Sequence, residues 1–168
     1  MTETRQRRDI GPPDSESDEK PTLLAFLNYV REAVAGKAQG LDDGQGRTPG
    51  VPSGTSVLGL VKHLTAAELY WFAWAFEGAD DEHPDFGMDL SAGDSAESLL
   101  AAYRSAVERS NEIIERCADL SHFCARAAGK AGTVRSMRWV LVHMIEETAR
   151  HAGHADILRE QADGSVGR

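Results

Sequence analysis

Glu147 and His151 stand four residues apart inside an otherwise apolar pattern: Val140, Met144, Glu147, His151, His154 and Leu158. The 4-3-4-3-4 spacing marks the inward seam of a helix. A carboxylate and two imidazoles therefore hold positions where leucine would pack best. An unpartnered buried carboxylate costs several kcal/mol or more, so something must neutralise Glu147. Residues at i and i+4 project about 5–6 Å apart on one helix face, which lets both reach one metal ion at about 2.1 Å. A second stripe, Leu60, His63, Ala67, Tyr70 and Trp74, sets another histidine among core residues. His63, Glu147 and His151 would together leave a divalent ion with net positive charge and an open coordination position. Such a site lowers the pKa of a bound water or thiol. The competing reading is structural: a Glu147–His151 ion pair that fixes helix register, with hydrogen-bonded packing histidines around it.

The other polar residues carry less pattern. His154, three residues beyond His151, suits a partner that holds a ligand imidazole, or a general base. His143 lies one turn before Glu147 on the edge of the same face and is a weaker candidate for either role. His83 and His122 have no partner spacing and are expected at the surface. Cys117 falls on a core stripe, and neither it nor Cys124 sits in a nucleophile motif. The chain has no HExxH motif and lacks the paired ExxH motifs of diiron bundles; Glu108, Glu112 and Glu115 suit a solvated face. Trp71, Trp74 and Trp139 fit core or pocket wall. Arg135, Arg138, Arg150 and Arg159 fit helix-surface charge.

Four helical stretches must position these residues. The first runs from about Pro21 to Gly40 on a stripe of Leu23, Leu27, Val30 and Val34. The second starts at Thr55 or Ser56, either of which can cap it, and runs to about Phe76. The third starts at Asp94, with Glu97 completing a capping box, and carries Leu100, Tyr103, Val107, Ser110, Ile114 and Cys117. The fourth runs from about Ser136 to Gln161, stopping before Gly164. Helices of this length with one apolar stripe each predict an all-α four-helix bundle over residues 21–165. The connections at 40–54 and 78–93 are long for a bundle and permit crossovers that shape a site at one end. Residues 1–20, with arginines at 5, 7 and 8 and the run DSESDEK, are expected to form a polar tail.

Composition narrows the function classes. The 168 residues carry 27 acidic and 18 basic side chains, a net charge of −9, which argues against nucleic acid as partner. No stretch approaches 18 apolar residues, so no membrane span is expected. The first ten residues lack the apolar core of a secretory signal. Two cysteines outside any CxxC or disulfide framework suit the reducing cytoplasm.

The stretches GLVKHLTAAELYWF (59–72) and RWVLVHMIEETARHAGHADILRE (138–160) resemble the DinB/YfiT-like superfamily, specifically its actinobacterial DUF664 branch, over most of residues 20–165. The resemblance implies a four-helix bundle, often a homodimer. It also implies a divalent metal held by one histidine of the second helix and two ligands of the fourth. By position these are His63, Glu147 and His151. Many members have histidine where Glu147 stands; glutamate there is similar to the mycothiol-dependent maleylpyruvate isomerase branch. That isomerase's additional C-terminal domain has no counterpart in these residues, so its thiol-binding groups do not carry over. Members with known activity mostly use a small thiol, mycothiol or bacillithiol, with zinc the frequent metal and nickel, iron and manganese the alternatives. The implied activity is a thiol S-transferase or isomerase in which the metal stabilises the cofactor thiolate for attack on a small electrophile. The rivals are a hydrolase that activates a metal-bound water with His154 as base, and a non-catalytic, stress-associated metal-binding bundle.

Overall fold

The computed structural model describes residues 11–14, 18–80 and 82–167. Of the tail expected over 1–20, residues 1–10 and 15–17 lie outside that set, while Glu19 and Lys20 already belong to the first helix. Among the described residues there are four long helices: α1 (Glu19–Ala38), α3 (Val57–Glu68), α4 (Ala96–Arg116) and α5 (Met137–Asp163), with a short α2 (Asp43–Arg47) between the first two. No described residue lies in a sheet strand; the connector after α4 holds only two isolated bridges, Phe123 with Ser136 and Ala128 with Thr133. The fold is all-α, as the periodicity predicts.

Local chemistry sets the ends. Ser56 and Ser136 accept hydrogen bonds from the N–H groups of Gly59 and Trp139 and cap α3 and α5. The cap of α4 falls one residue later than the Asp94–Glu97 box predicts: Ser95 and Ser98 satisfy one another's backbone N–H groups. Asp94 instead accepts from the Ser91 N–H at 2.8 Å and from Lys62 at 3.4 Å. Gly164, at φ +76°, ends α5 in the left-handed region.

Cross-helix pairs fix the directions. Glu19 meets Arg138 and Lys37 meets Asp156, so α1 and α5 run parallel. Lys20 donates to the carbonyls of Glu115 and Cys117 at the end of α4, so α4 runs antiparallel to α1. His63 meets Glu147 while Trp71 meets Trp139, so α3 opposes α5. Hence α3 and α4, adjacent in sequence, run parallel. The long connection 78–95 is the crossover this demands, a strap running back along α3.

The helix that begins as α3 continues as a nine-residue π-helix, Leu69–Glu77, to Gly78, a feature the periodicity does not foresee. Its far end is held by the 117–136 connector. Arg126 donates to the carbonyls of Trp74, Gly78 and Ala79, and its guanidinium lies 5.0 Å from the Trp74 ring.

The apolar interior divides in two. One cluster includes Leu27, Val30, Trp71, Phe72, Ile114, Val140 and Met144. The other includes Val34, Leu58, Leu64, Leu100, Tyr103, Ala155 and Leu158. Between them, along every long helix, sit the buried polar residues Arg31, Glu68, Ser110, Thr148 and His151.

Candidate metal centre

Within this polar layer, the seams of α3 and α5 bring His63, Glu147 and His151 together. One ligand atom from each lies within 4.8 Å of the other two. Glu147 Oε1 stands 3.2 Å from His63 Nε2 and 3.1 Å from His151 Nε2. A cation about 2.1 Å from each of three tetrahedrally arranged ligands would separate them by about 3.4 Å. The two spacings to Glu147 are close to that value.

The outward atoms of the three residues are also engaged. His63 Nδ1 donates to the Phe86 carbonyl at 2.9 Å, a bond supplied by the strap. That leaves Nε2 with a lone pair aimed at the carboxylate, and only a proton or a cation between them relieves the repulsion. His151 Nδ1 lies 3.3 Å from His154 Nδ1. Glu147 Oε2 lies 3.6 Å from Arg150. Such contacts orient metal ligands and tune their basicity.

Electrostatics favour the ligand forms. Burial pushes the Glu147 carboxyl up, but hydrogen bonds and charge from His63 and His151, exerted when a ring carries its second proton, outweigh it and hold the group below the usual carboxylate range. Burial, helped by His63, holds His151 below the usual imidazole range against the pull of Glu147. A charged carboxylate and a neutral imidazole are the states that bind a divalent cation. Three protein ligands leave a fourth position open, and the mixed N/O set suits zinc, with nickel, iron and manganese also accommodated.

The remaining candidates are distributed differently. His154 is exposed rather than inward as the seam predicts, touching the triad only through His151. His143 is half-buried in an aromatic group, stacked on Trp139 at 4.9 Å and edge-on to Trp71 at 4.9 Å. Burial holds its imidazole below the usual range. His83 is exposed, yet packs edge-on against Tyr70 and Trp74. Glu108, Glu112 and Glu115 face solvent, and Cys117 is in the core.

Sequence reasoning misses the Phe86 carbonyl, for which no side-chain signal exists. It also misses Arg150 as a neighbour of Glu147, although their i, i+3 spacing could have shown it. Glu68 escapes too: its carboxylate is fully buried and takes both Nε and Nη2 of Arg31, at 2.7 and 2.6 Å.

Among solved structures, a conserved protein of Enterococcus faecalis has a similar fold, with a TM-score of 0.64 at 15% identity, covering 89% of this chain and 99% of that one. At that identity the likeness concerns fold alone. No curated protein matches the sequence. A family model described as mycothiol-S-transferase matches residues 22–164.

Proposed function

The chain belongs to the mycothiol-S-transferase family, and on that premise we propose that it transfers a small thiol of the mycothiol type to a small electrophile at a divalent metal held by His63, Glu147 and His151. The carrying observation is the single carboxylate oxygen of Glu147 facing two imidazole nitrogens at 3.2 and 3.1 Å. This arrangement supports one cation between three ligands better than it supports an ordinary ion pair, because the other nitrogen of His63 is already donating to Phe86.

Bound there, a zinc ion would supply the positive charge that keeps a cofactor thiol ionised near neutral pH. The protein's residues do the rest. Glu147 lowers the net charge of the site without closing it. The Phe86 carbonyl and His154 hold the ligand rings in orientation. The new bond forms between the thiolate sulfur and the electrophilic carbon, using a sulfur lone pair. The leaving group departs with the bonding pair, and the thiol proton goes to solvent. In this reading the bundle from Glu19, whose carboxylate pairs with Arg138, to residue 165 is the catalytic unit.

The test is metal analysis of protein purified without added metal, followed by an electrophile panel with and without mycothiol. One metal per chain, lost in His151→Ala, with turnover only when thiol is present, is the expected result. Turnover independent of thiol would reject the transferase reading. Metal content unchanged by His151→Ala would reject the centre itself.

A further inference from the structure

We propose that Tyr70 is a positioning residue for the metal centre, acting through the strap residue Phe86 to hold the ring of His63. The inference rests on reading His63, Glu147 and His151 as metal ligands, although the contacts from Tyr70 to His63 can be tested without metal.

Phe86 is the link. Its carbonyl accepts from His63 Nδ1 at 2.9 Å, and its ring lies 5.8 Å from the His63 ring. That carbonyl belongs to no helix or sheet ladder that would fix its direction, so the packing of its own side chain must do so. The Phe86 ring meets Tyr70 edge-on, with centroids 5.1 Å apart and planes at 76°, an arrangement aromatic pairs prefer. His63 and Tyr70 stand seven residues apart where α3 passes into the π-helix, and this one strap residue touches both.

Tyr70 is itself held on several sides. It is buried, stacked on Trp74 at 5.0 Å and 11°, and edge-on to Trp71 at 5.1 Å. His83, the strap's other ring, packs against the same Tyr70 and Trp74 at 5.0 and 5.2 Å. The Tyr70 hydroxyl accepts from the Gly129 N–H at 2.9 Å, across to the connector between α4 and α5. Gly129, at φ +71°, can lie this close because it has no side chain: a Cβ there would stand 3.3 Å from the Trp71 ring. Tyr70 therefore joins strap to connector, and a displacement of either reaches His63 through Phe86. A residue that merely filled space would affect stability alone. One that aims the Phe86 carbonyl also decides which nitrogen of His63 carries the hydrogen, and so whether Nε2 is free for a metal.

The experiment is a double-variant cycle of Tyr70→Leu and Phe86→Leu. It is read by zinc affinity and, in the metal-free protein, by the nitrogen–proton signals of the His63 imidazole. The parent should show a hydrogen on Nδ1 that is protected from exchange. Each single variant should weaken zinc binding about tenfold and lose most of that protection. The double variant should be no worse than either single, because both break the same path. Tyr70→Phe keeps the ring and loses only the Gly129 bond, so its affinity should stay within about threefold of the parent. Ile113→Val, in the same apolar cluster, should lower Tm and move neither readout. A loss of about a hundredfold in the double variant would show two independent routes and overturn the proposal. So would a parent with its hydrogen on Nε2, or a folded Tyr70→Leu with unchanged affinity and protection. Phe86 is half-buried, so Phe86→Leu carries the test if Tyr70→Leu fails to fold; parent-like affinity and protection there would also overturn it. A parent that binds no zinc but loses its Nδ1 protection in both single variants would reject the metal centre while upholding the role of Tyr70.

Discussion

His63 Nε2 and Glu147 Oε1 face one another across 3.2 Å while the hydrogen of His63 is committed to Phe86 from the opposite side of the ring. Two acceptors so placed favour whatever positive species enters between them, and that species then ties α3 to α5.

Metal should therefore stabilise the fold. At a free zinc concentration about 100 times the dissociation constant, linkage adds about 2.7 kcal/mol, which for a domain of this size raises Tm by roughly 5–10 °C. Calorimetry with and without zinc measures this directly. The increment should vanish in Glu147→Gln and His151→Ala, whose metal-free Tm values should change far less.

Gly59 should control the strap. A Cβ there would come within 2.8 Å of the Met88 carbonyl oxygen, a backbone atom two residues from Phe86. In an open helix, Gly→Ala is stabilising by about 1 kcal/mol. Here Gly59→Ala should displace the strap, disturb the His63–Phe86 bond and lower metal affinity about tenfold. Affinity matching the parent protein would show that the strap adapts freely.

The protein's own thiols should be inert. Burial pushes both Cys117 and Cys124 above the usual thiol range, and Cys117 also donates to the Asp119 carbonyl. Alkylation by iodoacetamide at pH 7.5 should be at least about tenfold slower in native than in urea-unfolded protein. A Cys117→Ala/Cys124→Ala double variant should keep its metal and any thiol-dependent turnover.

Breaking the buried Arg31–Glu68 pair should be the most damaging single change in the layer. Glu68→Gln leaves a buried guanidinium short of its counter-charge and should cost about 3–5 kcal/mol in urea unfolding. The double replacement Arg31→Met/Glu68→Leu should recover most of that loss, because neither charge is then stranded.

Acid should loosen the end of α5. The Arg159 side chain beside Asp163 holds that carboxyl down to about 2, against 3.8 for the free group. A lowered folded-state pKa contributes its stability in full above about pH 4, and the contribution is lost as pH falls through 2. Asp163→Asn should cost about 1 kcal/mol at pH 7, allowing for solvent screening at the helix end, and only a small fraction of that at pH 2. Equal cost at both values would refute the assignment.

The heptad spacing made the helices legible, and it placed His63, Glu147 and His151 on facing seams, because those positions alternate with residues that must be buried. It erred on His154, which the same spacing places inward: over the 27 residues of α5 the 3.6-residue turn carries successive positions away from a strict heptad. The π-helix left no periodic trace, since the first eight of its nine residues, LYWFAWAFE, are apolar all round. Nor did the pattern reveal that the deepest carboxylate is Glu68. Its counter-charge lies 37 residues away on another helix, a pairing that only the assembled bundle creates.

The strap gives His63 its hydrogen bond through a main-chain carbonyl, and this decides how the centre can fail. Every amino acid at position 86 brings the same oxygen, so point substitutions there can shift the contact but never delete it. Chain length is another matter. Losing one residue between Gly78 and Asp94 would change which carbonyl reaches the imidazole, and the centre could then be lost although its three ligands and their neighbours kept their identities.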